Sequence, residues 1–278
     1  MRSGTLVKDI LREITLSLRP IVPRASREAQ LLIMRFLNVD ELWLIMHKNE
    51  EVKNVDKLFE WVDRRKNYEP FEYITNSVSF YSQEFYIDKG ALIPRPETEL
   101  LIDEIVKKVD DKNSEMTFVE VGVGSGIISI VLAQIFKKAK FIAIDISKEA
   151  LAVAKINLNK YNLQKRIELR LGSLLDPVDE RIDYLVSNPP YIENGVELEF
   201  NLSYEPQNAL FGGAIGDEII KKLLDEVLRR KINLFSCEMG YDQKDKISHY
   251  LKNKNYKELN FYKDLSGFDR GFNLEVQN

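Results

Sequence analysis

The sequence predicts an α/β protein in which a small helical domain precedes a mostly parallel sheet with helices on both faces. Three observations support this prediction. Apolar residues recur at helical spacing through roughly the first 65 residues. Phe, Tyr, Ile and Val then dominate residues 73–93, with little helical period. From Pro94 onward, short apolar runs alternate with helical patterns, which is typical of parallel strands joined by crossover helices.

The spacing of apolar residues in the N-terminal part predicts three short helices. The first ends before Pro20 and Pro23, because proline cannot continue a helix. A second helix follows Ser26, and a third fades at residues 64–66. Aromatic residues on both sides of a polar stretch indicate a hairpin around residues 80–87. We therefore expect a helical domain at residues 1–72, a β-hairpin linker at 73–93 and a larger domain at 94–278.

Short apolar segments of the larger domain predict its strands. Ligands of such sheets bind at the carboxyl ends of the strands, near the point where the strand order reverses. The motifs described below follow these predicted ends. The predicted strands are Thr117–Val121, Phe141–Ile144, Ile167–Leu171, Tyr184–Ser187, Ile232–Glu238 and Lys257–Tyr262.

Composition excludes several classes of protein. The formal net charge is −4, which argues against nucleic acid as the main partner, because that affinity comes largely from neutralising phosphates. Cys237 is the one cysteine, so no intramolecular disulfide can form, as expected in a reducing cytosol. No apolar run reaches the ~18 residues of a membrane span, and no zinc-type Cys/His spacing occurs. We expect a cytoplasmic monomer without metal, membrane contact or stable nucleic-acid binding.

A glycine-rich segment, residues 122–126, follows the first predicted strand of the sheet. Glycines let the backbone approach a ligand closely, and the start of a helix offers free N–H groups. The dinucleotide fingerprint would need glycine at position 127, which is Ile127, and no P-loop lysine follows. S-adenosylmethionine, which has no pyrophosphate, therefore suits the segment best; the alternative is an ordinary tight turn. The residues concerned are Gly122, Val123, Gly124, Ser125 and Gly126.

Asp145 directly follows the next predicted strand, Phe141–Ile144. An acidic residue at this place can accept hydrogen bonds from two ribose hydroxyls. The alternative interpretation is a helix cap, because aspartate favours N-caps and a helix is predicted to begin near Ser147. The glycine-rich segment upstream favours ribose binding.

Residues 188–191, Asn-Pro-Pro-Tyr, follow the strand that ends at Ser187. Two prolines fix the backbone and hold the preceding carbonyl groups rigidly. Asn188 adds a side-chain carbonyl and an amide, and Tyr191 adds an aromatic wall. This combination suits a planar group that bears an NH₂, either an amide or the exocyclic amine of a base. The alternative is a proline-stiffened loop.

A further segment, residues 93–100, indicates a helix N-terminus, with Glu97 and Glu99 placed to favour the helix dipole.

Taken together, these segments resemble the HemK/PrmC family, the release-factor glutamine N5-methyltransferases. Asn-Pro-Pro-Tyr is shared with DNA and RNA methyltransferases, whereas the Pro-Arg-Pro-Glu-Thr-Glu and Tyr-Glu-Pro-Gln-Asn-Ala-Leu segments are more discriminating. The resemblance runs along nearly the whole chain. It comprises residues 69–74, 92–99, 122–126, 143–147, 187–192, 204–213 and 267–270.

The resemblance implies a Rossmann-like class I methyltransferase domain with a seven-stranded sheet and an N-terminal domain that docks the substrate. The implied substrate is the glutamine in the Gly-Gly-Gln motif of class-1 peptide chain release factors. Carried over by residue, the glycine-rich segment would hold the methionine part of S-adenosylmethionine. Asp145 would bind the ribose, Leu174 would lie against the adenine, and Asn188 would also contact the cofactor. Substrate binding would fall to Arg95, Asn188, Pro189, Pro190 and Tyr191, with Asn188, Pro189 and Tyr191 as catalytic residues.

The expected mechanism uses two acceptors. Asn188 Oδ1 and the Pro189 carbonyl would each accept one hydrogen of the glutamine amide, which orients its nitrogen towards the methyl group. Two alternatives stay open at this point. One is an amino-group methyltransferase acting on adenine N6 or guanine N2 of nucleic acid. The other is a module that binds release factors without catalysis.

Overall fold

The computed structural model describes residues 5–276, and this part of the chain divides into two compact units. The first unit contains residues 5–76 and the segment Glu199–Tyr204. The second contains residues 77–198 and 205–276. Each unit has an apolar core of its own. Within this part of the chain, no helix has both the length and the apolar content to cross a lipid bilayer.

The first unit is helical. Apolar residues three or four positions apart on α1 are buried, and α1 packs against α2 and α4. The three predicted helices correspond to α1, α2 and α4. Two further helices, α3 and α5, are too short for their periodicity to be visible in the sequence. The elements are β1 Thr5–Leu6, α1 Val7–Leu18, α2 Ala25–Leu37, α3 Glu41–Met46, β2 Glu51–Val52, α4 Asp56–Lys66 and α5 Phe71–Thr75.

The second unit begins with the hairpin formed by β3 and β4, as the sequence predicts around residues 80–87. Strands and helices alternate after it. The elements are β3 Val78–Phe80, β4 Gln83–Phe85, α6 Thr98–Lys108, β5 Thr117–Val121, α7 Ile127–Ile135, β6 Lys140–Asp145, α8 Lys148–Lys160, β7 Ile167–Leu171, β8 Tyr184–Ser187, β9 Ile192–Glu193, β10 Phe211–Gly213, α9 Glu218–Arg230, β11 Leu234–Glu238, α10 Lys244–Leu251, β12 Glu258–Lys263 and β13 Asp269–Glu275.

Seven of these strands form one sheet in the order β12-β13-β11-β8-β5-β6-β7. Strands β11, β8, β5, β6 and β7 are mutually parallel, whereas β13 is antiparallel to both of its neighbours. The chain passes from β5 outward to β6 and β7, then returns to β8 on the other side of β5. The strand order therefore reverses between β5 and β8, where α/β sheets bind ligands. This arrangement confirms the predicted α/β fold.

Alternation along β5 shows how the sheet separates two layers. Val119 and Val121 belong to the core shared with α9 and α10. The intervening residues face the other layer, since the ring of Phe118 packs against the ring of Phe136 after α7, and Glu120 contacts Ser129 of α7. Apolar side chains thus cover both faces of the central strand, and its carboxyl end is held rigidly in place.

Strand β13 is the element of the sheet that the sequence pattern does not predict. Its centre contains Gly271 and Asn273, which interrupt an apolar strand pattern. Asn273 is buried, but both ends of its amide are hydrogen-bonded: Oδ1 accepts from Ser236 at 2.6 Å and Nδ2 donates to Glu104 at 3.2 Å. A buried polar residue is tolerated when its hydrogen bonds are satisfied.

Replacing Gly271 by alanine is expected to lower the free energy of unfolding by about 3 kcal/mol. A Cβ atom there would lie 2.4 Å from the Cys237 carbonyl oxygen and 2.2 Å from the hydroxyl of Tyr262. Gly267→Ala is the control, because its φ is +86° and nothing lies within 4 Å, so only about 1 kcal/mol of backbone strain is expected. Urea denaturation measures the free energy of unfolding of both variants. Equal losses of free energy would contradict the prediction, because they would show that the neighbouring atoms move aside at Gly271.

Candidate active site

A cavity of about 300 Å³ opens at the carboxyl ends of β5, β6 and β8. The structure brings most of the predicted site residues to its wall. Two predicted residues, Gly126 and Tyr191, do not line it. The predicted residues that line the cavity are Arg95, Gly122, Val123, Gly124, Ser125, Asp145, Leu174, Asn188, Pro189 and Pro190.

The glycine-rich segment turns the chain sharply from β5 into α7. Gly124 has a φ of +53°, a left-handed conformation that favours glycine, and a Cβ there would meet nothing within 4 Å. The backbone at Gly124 is therefore open, and a ligand can approach it closely. Gly126 has a different task. Its φ is +82°, and a Cβ would lie 3.3 Å from Ala154, so glycine here lets the start of α7 approach α8.

Asp145 at the end of β6 ties two loops together. Its Oδ2 accepts from the Gly124 amide at 2.9 Å, and its Oδ1 accepts from the Ser147 amide at 2.9 Å. The N-cap of α8 is Ser147 rather than Asp145, because the Ser147 hydroxyl accepts from the Ala150 amide at 3.1 Å. Each carboxylate oxygen can accept a second hydrogen bond, so the pairing with backbone amides is compatible with ribose binding. Burial raises the pKa of Asp145, against these hydrogen bonds.

Glu120 lies below the glycine-rich segment and is 1% exposed. Its Oε2 accepts from the amide and the hydroxyl of Ser129, whereas Oε1 has no hydrogen-bond partner in the described part of the chain. Burial raises the pKa of this carboxyl group to about 8. Glu120 also lines the cavity. A buried carboxyl oxygen without a partner beside a cavity is a candidate ligand contact. The sequence analysis did not identify Glu120 as a site residue.

Glu120→Gln is expected to flatten the pH dependence of stability. The pKa of Glu120 is raised from 4.5 to about 8 in the folded protein, so its stabilising contribution is complete below about pH 4.5 and is lost as the pH rises through 8. Glutamine keeps an acceptor for Ser129 and does not titrate. The free energy of unfolding, measured with urea at pH 5, 7 and 9, should favour the variant increasingly as the pH rises. Parallel curves for the two proteins would contradict the raised pKa.

Asn188 follows β8 and lies beside the end of β11, since Ser187 pairs with Cys237 in the parallel register. Asn188 Nδ2 donates to the Thr98 hydroxyl at 3.1 Å, and that hydroxyl donates to Glu238 Oε2 at 2.8 Å. The Tyr191 hydroxyl donates to Glu238 Oε1 at 3.4 Å. One buried carboxyl group therefore links both polar side chains of the Asn-Pro-Pro-Tyr motif.

Burial strongly influences the protonation of the Glu238 carboxyl group. It raises the pKa of Glu238 to about 7, against the hydrogen bonds from Thr98 and Tyr191. Burial and the neighbouring Glu238 raise the pKa of Tyr191 well above its usual range, so the phenol stays protonated near neutral pH and acts as a donor.

Arg95, a predicted substrate-binding residue, forms an ion pair. Its Nη2 contacts Glu205 Oε1 at 2.5 Å, and the other oxygen of Glu205 accepts from the Ile93 amide at 3.0 Å. Glu205 is buried, whereas the Arg95 side chain is about one-third exposed and lines the cavity. The contact joins the Pro-Arg-Pro-Glu-Thr-Glu and Tyr-Glu-Pro segments.

Three polar partners of the site were missed by sequence reasoning: Thr98, Glu205 and Glu238. Thr98 and Glu205 lie inside motifs that the sequence analysis quotes, but their tasks depend on contacts with distant parts of the chain. Glu238 had a visible signal, since it lies at the end of a predicted strand, as Asp145 does. Among the described residues no cluster of histidine, cysteine, aspartate or glutamate is arranged to hold a metal ion.

Comparison with known proteins gives matches along both units. The PrmC N-terminal domain family matches residues 9–75, and the methyltransferase small domain family matches residues 87–205. A release factor glutamine methyltransferase of Clostridium botulinum is 37% identical over 255 residues, covering 87% of this chain and 89% of the relative. Another, of Dictyoglomus turgidum, is 36% identical over 254 residues and covers 89% of this chain and 90% of the relative.

Solved structures give a more distant likeness. The N-terminal domain of human METTL16 in complex with SAH superposes with a TM-score of 0.51 at 15% identity, covering 83% of this chain and 86% of that one. At this level of identity the similarity shows a shared fold.

Proposed function

This chain belongs to the family of release factor glutamine methyltransferases, and we propose on that premise that it methylates the Gly-Gly-Gln glutamine of class-1 peptide chain release factors. The methyl group comes from S-adenosylmethionine and the acceptor is the side-chain amide nitrogen, N5. The fold is that of a Rossmann-like class I methyltransferase. The names of the relatives favour a protein substrate over nucleic acid, and an active enzyme over a module that only binds.

One observation supports the choice of an amide most directly. Asn188, Pro189 and Pro190 line the same cavity as the open backbone at Gly124. The carbonyl groups that can accept hydrogen bonds from a planar NH₂ group therefore line the same cavity as the proposed cofactor site. Because Asn188 Nδ2 is used by Thr98, its carbonyl oxygen is the end of the side chain left for an NH₂ donor.

The residues present fit S-adenosylmethionine. Glu120 supplies a buried oxygen without a partner, Asp145 supplies two carboxylate oxygens with remaining lone pairs, and Gly124 leaves space above the backbone. Leu174 adds an apolar wall for the adenine. When bound, S-adenosylmethionine supplies an electrophilic methyl group on a positively charged sulfur.

The chemistry then requires orientation of a poor nucleophile, because the amide lone pair is delocalised into its carbonyl. We propose that Asn188 Oδ1 and the Pro189 carbonyl each accept one amide hydrogen. Positive charge develops on nitrogen as the carbon–nitrogen bond forms and the carbon–sulfur bond breaks, so both acceptors stabilise the transition state more than the ground state. The nitrogen then loses one proton to solvent.

We propose the following division of the chain. Residues 1–72 dock the release factor, residues 73–93 connect the two domains, and residues 94–278 carry out methyl transfer. Tyr191 does not line the cavity and supports the substrate site through its hydrogen bond to Glu238, Arg95 forms part of the cavity wall, and the glycine-rich segment including Gly126 shapes the cofactor site. Because the proposed substrate acts in translation, we place the enzyme in the cytoplasm, as a monomer without stable nucleic-acid binding.

Labelled S-adenosylmethionine, incubated with the enzyme and a purified class-1 release factor, tests this function. A matched release factor, whose Gly-Gly-Gln glutamine is replaced by alanine, is the control. We expect label on the first protein only. Label on neither, with a folded enzyme that binds S-adenosylmethionine, would overturn the proposal; RNA and DNA would then be tested as acceptors.

A further inference from the structure

The NH₂ end of the Asn188 side chain is held by a chain of hydrogen bonds between side chains with little solvent exposure. Thr98, the first residue of α6, is 2% exposed and lies between Asn188 and Glu238. It accepts from Asn188 Nδ2 at 3.1 Å and donates to Glu238 Oε2 at 2.8 Å. Glu238 is 2% exposed and ends β11, the strand beside β8. Three separate elements thus meet behind the side chain of Asn188.

The directions of these bonds fix which end of the Asn188 amide is held by Thr98 and which end is left free. Above about pH 7, where Glu238 is ionised, its carboxylate can only accept, so Thr98 gives its single hydroxyl hydrogen to Glu238. The Thr98 oxygen is then left as an acceptor, and Asn188 must present its NH₂ group to it. The carbonyl oxygen of Asn188 is consequently turned to the opposite side. Without this chain, the two nearly isosteric ends of the amide could exchange by rotation of the last side-chain bond.

We propose that Thr98 is a positioning residue that, together with Glu238, selects the orientation of the Asn188 amide in which its carbonyl oxygen faces the acceptor nitrogen. This inference rests on the proposed function for its effect on turnover, but the orientation itself is a property of the free protein. The same carboxyl group accepts from Tyr191 at 3.4 Å. Glu238 therefore couples the two ends of the Asn-Pro-Pro-Tyr motif to the start of α6.

Thr98→Val tests the role, because valine has nearly the same shape and no hydroxyl. Without the Thr98 hydroxyl the Asn188 amide can reverse, and its NH₂ group then faces the NH₂ group of the substrate glutamine. The kcat for release-factor methylation should therefore fall about 10- to 100-fold, as expected for a misplaced catalytic contact. The KM for S-adenosylmethionine should change less than about two-fold, since the contact acts on the acceptor. Thr98→Ser restores the hydroxyl and should recover kcat to within about three-fold of wild type.

Thr75→Val is the matched control. It also removes a hydrogen-bonded hydroxyl, which donates to the Phe71 carbonyl at 2.9 Å in the first unit. Its kcat should stay at the wild-type value. A Thr98→Val enzyme that is folded and keeps wild-type kcat would overturn the inference, as would a Thr98→Ser enzyme that is as slow as the valine variant.

A second measurement is independent of turnover. With selective ¹⁵N-asparagine labelling, the side-chain amide signal of Asn188 is assigned by its absence in Asn188→Asp. In the wild type its hydrogens should exchange slowly with solvent, and in Thr98→Val at least about ten-fold faster, because the buried acceptor is gone. Equal exchange would contradict the orientation. If wild-type protein methylates no release factor, the proposed function fails, and the exchange result still decides whether Thr98 holds Asn188.

Discussion

Replacing Asn188 by alanine is expected to lower kcat for release-factor methylation about 1,000-fold, the upper range for loss of one transition-state hydrogen-bond partner. The variant lacks the carbonyl oxygen that accepts an amide hydrogen of the substrate glutamine. It also leaves the Thr98 hydroxyl oxygen without its donor, but the glycine-rich segment and Asp145 are untouched. The dissociation constant for S-adenosylmethionine should therefore rise far less, by about three-fold or less.

Single-turnover methylation and calorimetric titration with S-adenosylmethionine separate the two effects. Asn159→Ala is the control, because Asn159 lies on the exposed side of α8. It should match the wild type in both measurements. If Asn188→Ala kept near-normal turnover, the assignment of Asn188 as the amide acceptor would be wrong. If cofactor binding fell as steeply as turnover, Asn188 would serve the cofactor rather than the substrate.

Asp145→Ala is expected to raise the dissociation constant for S-adenosylmethionine about 100-fold. Two hydrogen bonds from ribose hydroxyls to a carboxylate are lost, and bonds to a charged acceptor contribute about 1.5–3 kcal/mol each. The Gly124 and Ser147 amides also lose their acceptor, which loosens the loops on both sides of the proposed ribose site. Calorimetric titration measures the binding, and thermal unfolding of the free protein measures the structural part.

Asp183→Ala separates these two contributions. Asp183 also accepts a backbone amide hydrogen, from Thr117 at 2.9 Å, but it precedes β8 and so lies at the opposite edge of the sheet. We expect it to lose stability without weakening S-adenosylmethionine binding by more than about two-fold. If Asp145→Ala destabilised the protein similarly and bound the cofactor normally, Asp145 would be a structural tie between loops and not a ribose ligand.

Much of the sheet could be predicted because parallel strands buried on both faces are nearly continuous apolar runs. The bounds predicted for β5, β7 and β8 agree with the structure, and those of β6, β11 and β12 differ by one or two residues. Strand β13 escaped prediction because Gly271 and Asn273 are explained only by neighbours. Gly271 makes room for the ring of Tyr262, and Asn273 bonds to Ser236 and Glu104.

The candidate site likewise contains residues that the sequence pattern predicts and residues that it does not. The glycine-rich segment, Asp145 and Asn188 each follow a strand directly, so the fold alone brings them to one edge of the sheet. Their supporting partners come from far along the chain. Thr98 reaches Glu238 across 140 positions, and Arg95 reaches Glu205 across 110. A single sequence contains no local signal for such pairs, which is why many residues that line the cavity could be predicted and the partners that support them could not.

The central claim is that the acceptor is the amide nitrogen of one glutamine, oriented by Asn188 and Pro189. Fragmentation mass spectrometry of a class-1 release factor after incubation with the enzyme and S-adenosylmethionine tests it most directly. We predict a single added methyl group on the glutamine of the Gly-Gly-Gln motif, located on its side-chain nitrogen, and none when Asn188→Ala replaces the wild-type enzyme. A methyl group on another residue, or an unmodified release factor beside methylated RNA or DNA, would contradict the claim.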